Sequence, residues 1–249
     1  MTDRPEPAGR ETGTAFDSEL CVNREDVFVI VPVFNEASVL GGVLGELAAL
    51  GYTVVRVDDG SSDDSWNVIC ELPVYGLRHG LNLGQGTALE TGMEYARRQG
   101  AAIAVHFDAD GQHAAEQIDS LIAPLRRGEA DVVLGSRFLR ATDTARIPPA
   151  RRMLLRIGRI VTGVLNEVWL NDTHNGFRAL SRRALIKIRL TERGYGHASQ
   201  VLDEIRVHRL RYIESPVTIS YSDYSLAKGP RTLDAFNVLL DVLLGKLFR

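Results

Sequence analysis

AAIAVHFDADGQH, residues 101–113, is the stretch on which the reading of this chain turns. Residues 101–107 form an apolar run with β-branched Ile103 and Val105, the pattern of a buried strand. The run delivers Asp108 and Asp110, one on either side of Ala109. In an extended segment residues i and i+2 share a face, so the two carboxylates lie side by side and repel unless a cation sits between them. Mg²⁺ and Mn²⁺ take oxygen ligands, commonly one or two carboxylates together with substrate phosphates. Gln112 keeps the same parity and offers a carbonyl oxygen, and His113 adds a nitrogen that Mn²⁺ accepts. A plain turn would use Asp, Gly and Gln equally well. What favours the metal is the company this stretch keeps.

Upstream, VFVIVPVF (27–34) and TVVRV (53–57) read as strands, as do VYGLRH (74–79) and, downstream, ADVVLGSR (130–137). Helical spacing appears between them: at Val39, Leu40, Val43, Leu44, Leu47 and Leu50, around 64–71, from about 86, and over about 115–127. Strands alternating with such helices imply βαβ units, hence an α/β, mostly parallel, Rossmann-like sheet flanked by helices. Ligands in these sheets sit beyond the carboxyl ends of the strands. Every polar cluster falls there: Asn35 and Glu36 after the first strand, DDGSSDD after the second, DAD after the fourth, GSR after the fifth. Further on come a long amphipathic stretch over about 150–170, a loop DTHNGFR, a short helix near 181–190, a late strand IESPVTISYS and a terminal amphipathic helix. Residues 1–25 read as a mobile tail, 26–230 as one catalytic-size domain, and 231–249 as the terminal helix.

The chain has 249 residues and a formal net charge of −3, so it is no general nucleic-acid binder. Cys21 and Cys70 form no ligand pattern. No secretory signal is visible, and no stretch reaches the roughly 18 uninterrupted apolar residues of a membrane span. Any membrane contact would then be peripheral.

The remaining clusters each carry two readings. Asp58 and Asp59 can accept hydrogen bonds from a base N–H or a ribose hydroxyl, while Ser61 and Asp63 serve equally well as helix caps. NLGQGTA (82–88) lacks the GK[ST] of a phosphate-binding P-loop. Gly84 and Gly86 would let a loop pass close to a ligand or a neighbouring strand. Arg137, Arg140, Arg146, Arg151, Arg152, Arg156 and Arg159 face a single acid, Asp143. Arginine suits bidentate phosphate binding. An apolar stripe from Ile157 to Val168 ends at Trp169, which suits a membrane surface or a core-packing helix alike. The 231–249 helix could lie on a bilayer, pair with a small membrane-protein partner, or cover the sheet.

In order along the chain stand VPVFNE, VDDGSSD, NLGQGTA, FDADGQH, GSRF and DTHNGFR. Together, over about residues 27–225, they resemble the family 2 glycosyltransferases of the GT-A fold, and within them the polyprenyl-phosphate sugar synthases of the dolichyl-phosphate mannose synthase type. The resemblance implies a nucleotide-sugar donor, with its base near Asp59 and its ribose near Pro32 and Glu36. It implies Mn²⁺ or Mg²⁺ on Asp110 and Gln112, with Asp108 on ribose or metal. Arg137 and Arg151 match acceptor-phosphate arginines, Arg178 of GFR faces the same region, and Ser225 and Lys228 belong to a late loop that closes over diphosphate. The implied acceptor is a lipid phosphate and the implied place the cytoplasmic face of a membrane; a homo-oligomer is compatible with it. The sequence departs from the pattern at Leu155, where a phosphate-binding serine is expected, and at Gln200, where glutamate is usual. A sugar-hydroxyl acceptor is the second enzyme reading, with His197, Asp203 or Glu204 as general base. A non-catalytic nucleotide-sugar-binding subunit is the reading from another class.

Overall fold

A computed structural model describes residues 22–72, 75–139, 170–172, 175–194 and 196–220. Its centre is a seven-stranded sheet ordered β3-β2-β1-β4-β6-β5-β7. The strands are β1 (Val27–Val33), β2 (Thr53–Asp58), β3 (Tyr75–Arg78), β4 (Ile103–His106), β5 (Val132–Ser136), β6 (Arg178–Ser181) and β7 (Tyr212–Pro216). The helices are α1 (Ala37–Ala49), α2 (Ser65–Glu71), α3 (Gln85–Arg98), α4 (Gln117–Arg126), α5 (Arg182–Lys187) and α6 (His197–Val207).

β1 lies between β2 and β4 and runs parallel to both. Covered on two faces, it is apolar without alternation and buried at every residue except Pro32. Pro32 stands past the last pairing with β4, where β1 has one neighbour and the missing N–H does least harm. One face of the sheet packs Val29, Val31 and Val105 against Leu40 and Leu44 of α1 and Ile118 and Leu121 of α4. The other packs Ile30, Val55 and Leu180 against Met93 of α3, Leu185 of α5 and Val201 of α6. The mostly parallel α/β architecture read from the sequence is the one the chain adopts.

β6 is the exception. It pairs antiparallel to β4 and β5, while β5 and β7 are parallel to each other. The sequence reading put a loop and then a helix here; the helix begins only at Arg182. RALS is four residues long with no alternation of its own, and its strand state comes from neighbours on both sides. α6 was also absent from that reading. Across the boundary read between tail and domain, Arg24–Asp26 form a 3-10 turn, and Arg24 donates to the Leu50 carbonyl at 3.0 Å. The expected helices over about 150–170 and 231–249 lie outside the described residues. Among the described residues no helix is long and apolar enough to cross a membrane.

Candidate active site at the carboxyl edge of the sheet

The ends of β1 and β2 are laced together. Asn35 adopts a left-handed φ of 55°. Its N–H donates to Ser61 Oγ at 3.0 Å, and its Oδ1 accepts from the Ser62 N–H at 2.9 Å. The Glu36 N–H donates to Ser65 Oγ at 2.9 Å and the Ala37 N–H to Asp63 Oδ2 at 3.1 Å. Ser61 and Asp63 thus satisfy N–H groups where α1 starts. Asp58 is fully buried, accepts from the Ser61 N–H at 3.1 Å, and has Arg78 Nε 3.0 Å from its other oxygen in an ion pair off hydrogen-bond alignment. The Arg78 guanidinium lies 5.1 Å over the Trp66 ring.

Asp59 fastens the glycine loop. Its carboxylate accepts from the N–H of Leu83 at 2.9 Å and of Gly84 at 2.7 Å, and His79 Nδ1 lies 2.7 Å away. The other ring nitrogen of His79 meets Thr91 Oγ1 at 2.9 Å. Beside this cluster a cavity of about 360 Å³ is bounded by Gly60, Ser61, Arg78, His79 and Gly80. Gly84 has φ 96°, and a Cβ there would stand 2.2 Å from the Arg193 carbonyl oxygen; one at Gly86 would stand 2.0 Å from that of Glu192. The neighbour that both glycines admit is therefore backbone 192–193, which also accepts the Gly86 N–H at 2.9 Å.

Gln85, the first residue of α3, donates from Nε2 to Asp108 Oδ1 at 2.9 Å. On another side Gly176 touches Asp108 so closely that a Cβ would lie 2.5 Å from Oδ2. Burial and the neighbouring Asp110 push the Asp108 carboxyl up to about 6, against the pull of Arg178. Asp110 Oδ1 accepts the Gln112 N–H at 3.0 Å across a turn in which Gly111 has φ 71°. Two carboxylates this close, with an amide side chain next in line, are a hard-oxygen donor set, and they fit Mg²⁺ or Mn²⁺. Among the described residues no three His, Cys, Asp or Glu side chains gather as ligands, so a cation here would need oxygens from Gln112 and substrate as well. His113 takes a different course from the expected nitrogen ligand. Its ring packs on Phe177 at 4.7 Å between centroids, its Nδ1 is buried without a partner, and burial pushes it down to about 4.

Arg137 is gripped. Its Nε and Nη2 donate to Asp172 Oδ2 and Oδ1 at 2.6 and 2.8 Å, and its own N–H reaches Oδ2 at 3.1 Å. Arg178, by contrast, is only 2% exposed. It donates to the carbonyls of Gly176 and Asn175, both at 3.3 Å, and burial pulls it down to about 10 while Asp108 holds it up. The expectation that Arg178 faces the acceptor region therefore gives way to a buried placement beside Asp108. Beside it lie buried His106 and His197, both held below the ordinary histidine range by burial and by Arg178. Gln200 staples a loop: Oε1 accepts from the N–H of Thr191 and of Glu192, both at 2.9 Å, and Nε2 donates to the Arg189 carbonyl at 3.1 Å. Arg151, Leu155, Ser225 and Lys228 lie outside the described residues. Sequence reasoning did not single out Gln85, His79, Asp172 or Glu214. The first and third stand inside quoted motifs, but their partners are far along the chain.

Comparison with known proteins bears on the family and the fold. The sequence profile described as glycosyl transferase family 2 matches residues 28–189. An undecaprenyl-phosphate mannosyltransferase of Micrococcus luteus is 32% identical over 204 residues, 77% of this chain and 82% of that protein. A UDP-N-acetylglucosamine–dolichyl-phosphate N-acetylglucosaminyltransferase of Methanococcus voltae is 29% identical over 241 residues, 89% of this chain and 96% of that protein. In fold, the chain is similar to glucosyl-3-phosphoglycerate synthase from Mycobacterium tuberculosis, solved with Mn²⁺, UDP and glucosyl-3-phosphoglycerate: TM-score 0.64, 20% identity, 94% of this chain and 82% of that one.

Proposed function

The chain belongs to glycosyl transferase family 2, and we propose that it moves one sugar, with inversion, from a nucleotide-sugar to the phosphate of a polyprenyl lipid. The observation that carries this reading is a juxtaposition at one sheet edge. A carboxylate pair suited to a divalent cation, Asp108 and Asp110, shares that edge with Arg137, an arginine fixed in plane as phosphate recognition demands. The names of the M. luteus and M. voltae relatives, both lipid-phosphate sugar transferases, support the acceptor class.

In this reading Pro32, Asn35 and Glu36 line the nucleoside side, the buried Asp58 and Asp59 support it from beneath by holding Ser61, Arg78, His79 and the glycine loop, and the 360 Å³ cavity beside Asp59 takes the base. Gly84, seated on the Arg193 carbonyl, sets the course of the loop beside the donor. Asp108, Asp110 and Gln112 hold Mn²⁺ or Mg²⁺, which when bound supplies positive charge for the departing diphosphate. Gln85 orients Asp108 and Arg178 offsets its charge from below. Arg137, with Arg151, holds the acceptor phosphate, and Ser225 and Lys228 cover the diphosphate. A phosphate oxygen that is already ionised needs no strong general base. It forms the new bond to the anomeric carbon as the bond to the diphosphate breaks on the opposite side. The acceptor sets the place of work, peripheral at a membrane.

A hydroxyl acceptor would need a general base, and two of the three candidates, His197 and Glu204, are already engaged. His197 is 4% exposed with Nδ1 on the Gly194 carbonyl at 2.8 Å, and Glu204 is paired with His208 at 3.2 Å. The test is calorimetric titration of UDP- and GDP-sugars with and without Mn²⁺, on the wild type and on Asp110→Ala, followed by transfer to undecaprenyl phosphate. The expected result is one donor whose binding requires both Mn²⁺ and Asp110, and transfer to the lipid. A donor that binds but is passed only to sugar hydroxyls would replace the acceptor; no donor binding at all would end the proposal.

A further inference from the structure

Arg137 is held more firmly than a surface arginine needs to be. Asp172 accepts from its Nε, its Nη2 and its main-chain N–H, and the Asp172 side chain is only 2% exposed where that of Arg137 is 26% exposed. The guanidinium also packs 5.3 Å from the centre of the Phe138 ring. Asp172 is itself anchored. Glu214 on β7 accepts the Asp172 N–H at 3.1 Å, the Asn171 N–H at 2.8 Å and the Asn171 side-chain amide at 2.7 Å. Glu214 is fixed in turn by register, opposite Leu134 two residues before the end of β5. A chain of contacts thus runs from the β5–β7 ladder through Glu214 and Asp172 to one guanidinium.

We propose that Asp172 is a positioning residue for Arg137, fixing the plane in which its guanidinium meets the acceptor phosphate, with Glu214 as the anchor. The proposal rests on the reading of Arg137 given above. Its physical basis is preorganisation. A free arginine surrenders rotamer freedom when it closes on a phosphate, and one already ordered by a bidentate carboxylate does not. The cost is partial neutralisation of the charge, which a weak, reversible hold on a lipid headgroup tolerates.

The probe is farnesyl phosphate, titrated by calorimetry into the full chain, with thermal unfolding followed in parallel. Four proteins are compared: wild type, Arg137→Gln, Asp172→Asn and the double variant. Asn keeps the shape of Asp172 and removes the charge-assisted fork. The expected result is a loss of affinity of about tenfold for Asp172→Asn, the same order as for Arg137→Gln. The double variant should bind no more weakly than Arg137→Gln alone, because Asp172 acts only through Arg137. Binding of Mn²⁺ with UDP or GDP should be unchanged in Asp172→Asn. Unchanged or tighter binding by Asp172→Asn overturns the proposal, the latter by showing a competitor rather than a positioner; so does a further tenfold loss in the double variant. Full affinity in Arg137→Gln would instead remove Arg137 from the acceptor site. Should Asp172→Asn fail to fold, Glu214→Gln serves, with an expected loss of about threefold; no loss there, in a folded protein, overturns the chain of contacts.

Discussion

Replacing Gly176 by alanine adds one methyl at the most crowded point of the candidate metal site. The new Cβ would stand 2.5 Å from Asp108 Oδ2, 3.2 Å from its Cγ and 3.3 Å from its Oδ1. Ordinary contact begins near 3.5 Å, so carboxylate and backbone must separate by about 1 Å. The backbone resists: Arg178 donates to the carbonyls of residues 175 and 176, and the Gly135 N–H holds the Phe177 carbonyl at 2.9 Å. The carboxylate gives way instead, off the Gln85 amide that orients it at 2.9 Å. Overpacking of this kind costs about 1–3 kcal/mol, which for a chain of this size lowers the melting temperature by about 2–4 °C per kcal/mol. A ligand oxygen displaced by about 1 Å costs on the order of 100-fold in rate. The assay pairs thermal unfolding with Mn²⁺-dependent donor binding and transfer. Gly176→Ala should melt lower and transfer about 100-fold more slowly. On an Asp108→Ala background, where the three atoms nearest the new methyl are gone, the same methyl should cost little stability. Wild-type rate and melting in the single variant, or an equal stability loss on both backgrounds, would refute the reasoning.

Gly84→Ala combines a left-handed φ of 96° with a Cβ 2.2 Å from the Arg193 carbonyl; a loss of about 2–4 kcal/mol in urea unfolding is expected, and no loss would mean the 82–86 loop does not rest on residues 192–193. Asp59→Asn removes the charge that two loop N–H groups and His79 share; it should cost about 1–3 kcal/mol and weaken donor binding together, whereas unchanged binding in a stable protein would take the base away from this corner. Stability should also depend on pH. His113 and His197 are held down to about 4 and His106 is lowered too, so their neutral forms stabilise the fold fully above the unfolded value near 6.5, and this is lost as pH falls toward 4. Asp108, raised to about 6, works the other way, costing stability as pH rises from 3.8 through 6. Three histidines outweigh one aspartate, so the urea midpoint of the metal-free protein should fall between pH 7 and 5, and His113→Phe should flatten that fall; a flat profile in the wild type would contradict the burial of these rings.

The parts of this fold that could be read in advance are those in which one segment declares its own surroundings. β1, β2, β4 and β5 are buried on both faces and therefore appear as largely apolar runs, and the polar residues that follow them stand out against those runs. β6 declares nothing, since what makes Arg178–Ser181 a strand is the pair of strands it slides between. The same holds for the site. Asp108 and Asp110 are neighbours in sequence and were legible as a pair. The partners of Arg137, Asp59 and Gln200 are 35, 25 and 9 residues away, and no local pattern announces them. The reversed strand explains why this matters for chemistry. A parallel strand presents only its last residues at the carboxyl edge of the sheet. β6, running the other way, presents its first, so Arg178 stands in register with His106 and just under Asp108, and the 175–177 turn that leads into it becomes the wall against which the carboxylate rests. A guanidinium in that position balances the charge of Asp108 from a buried place, while Arg137, just past β5, is partly exposed. The antiparallel insertion thus sets one arginine in a buried place and leaves the other partly exposed, a difference that their shared Gly–x–Arg surroundings in the sequence do not reveal.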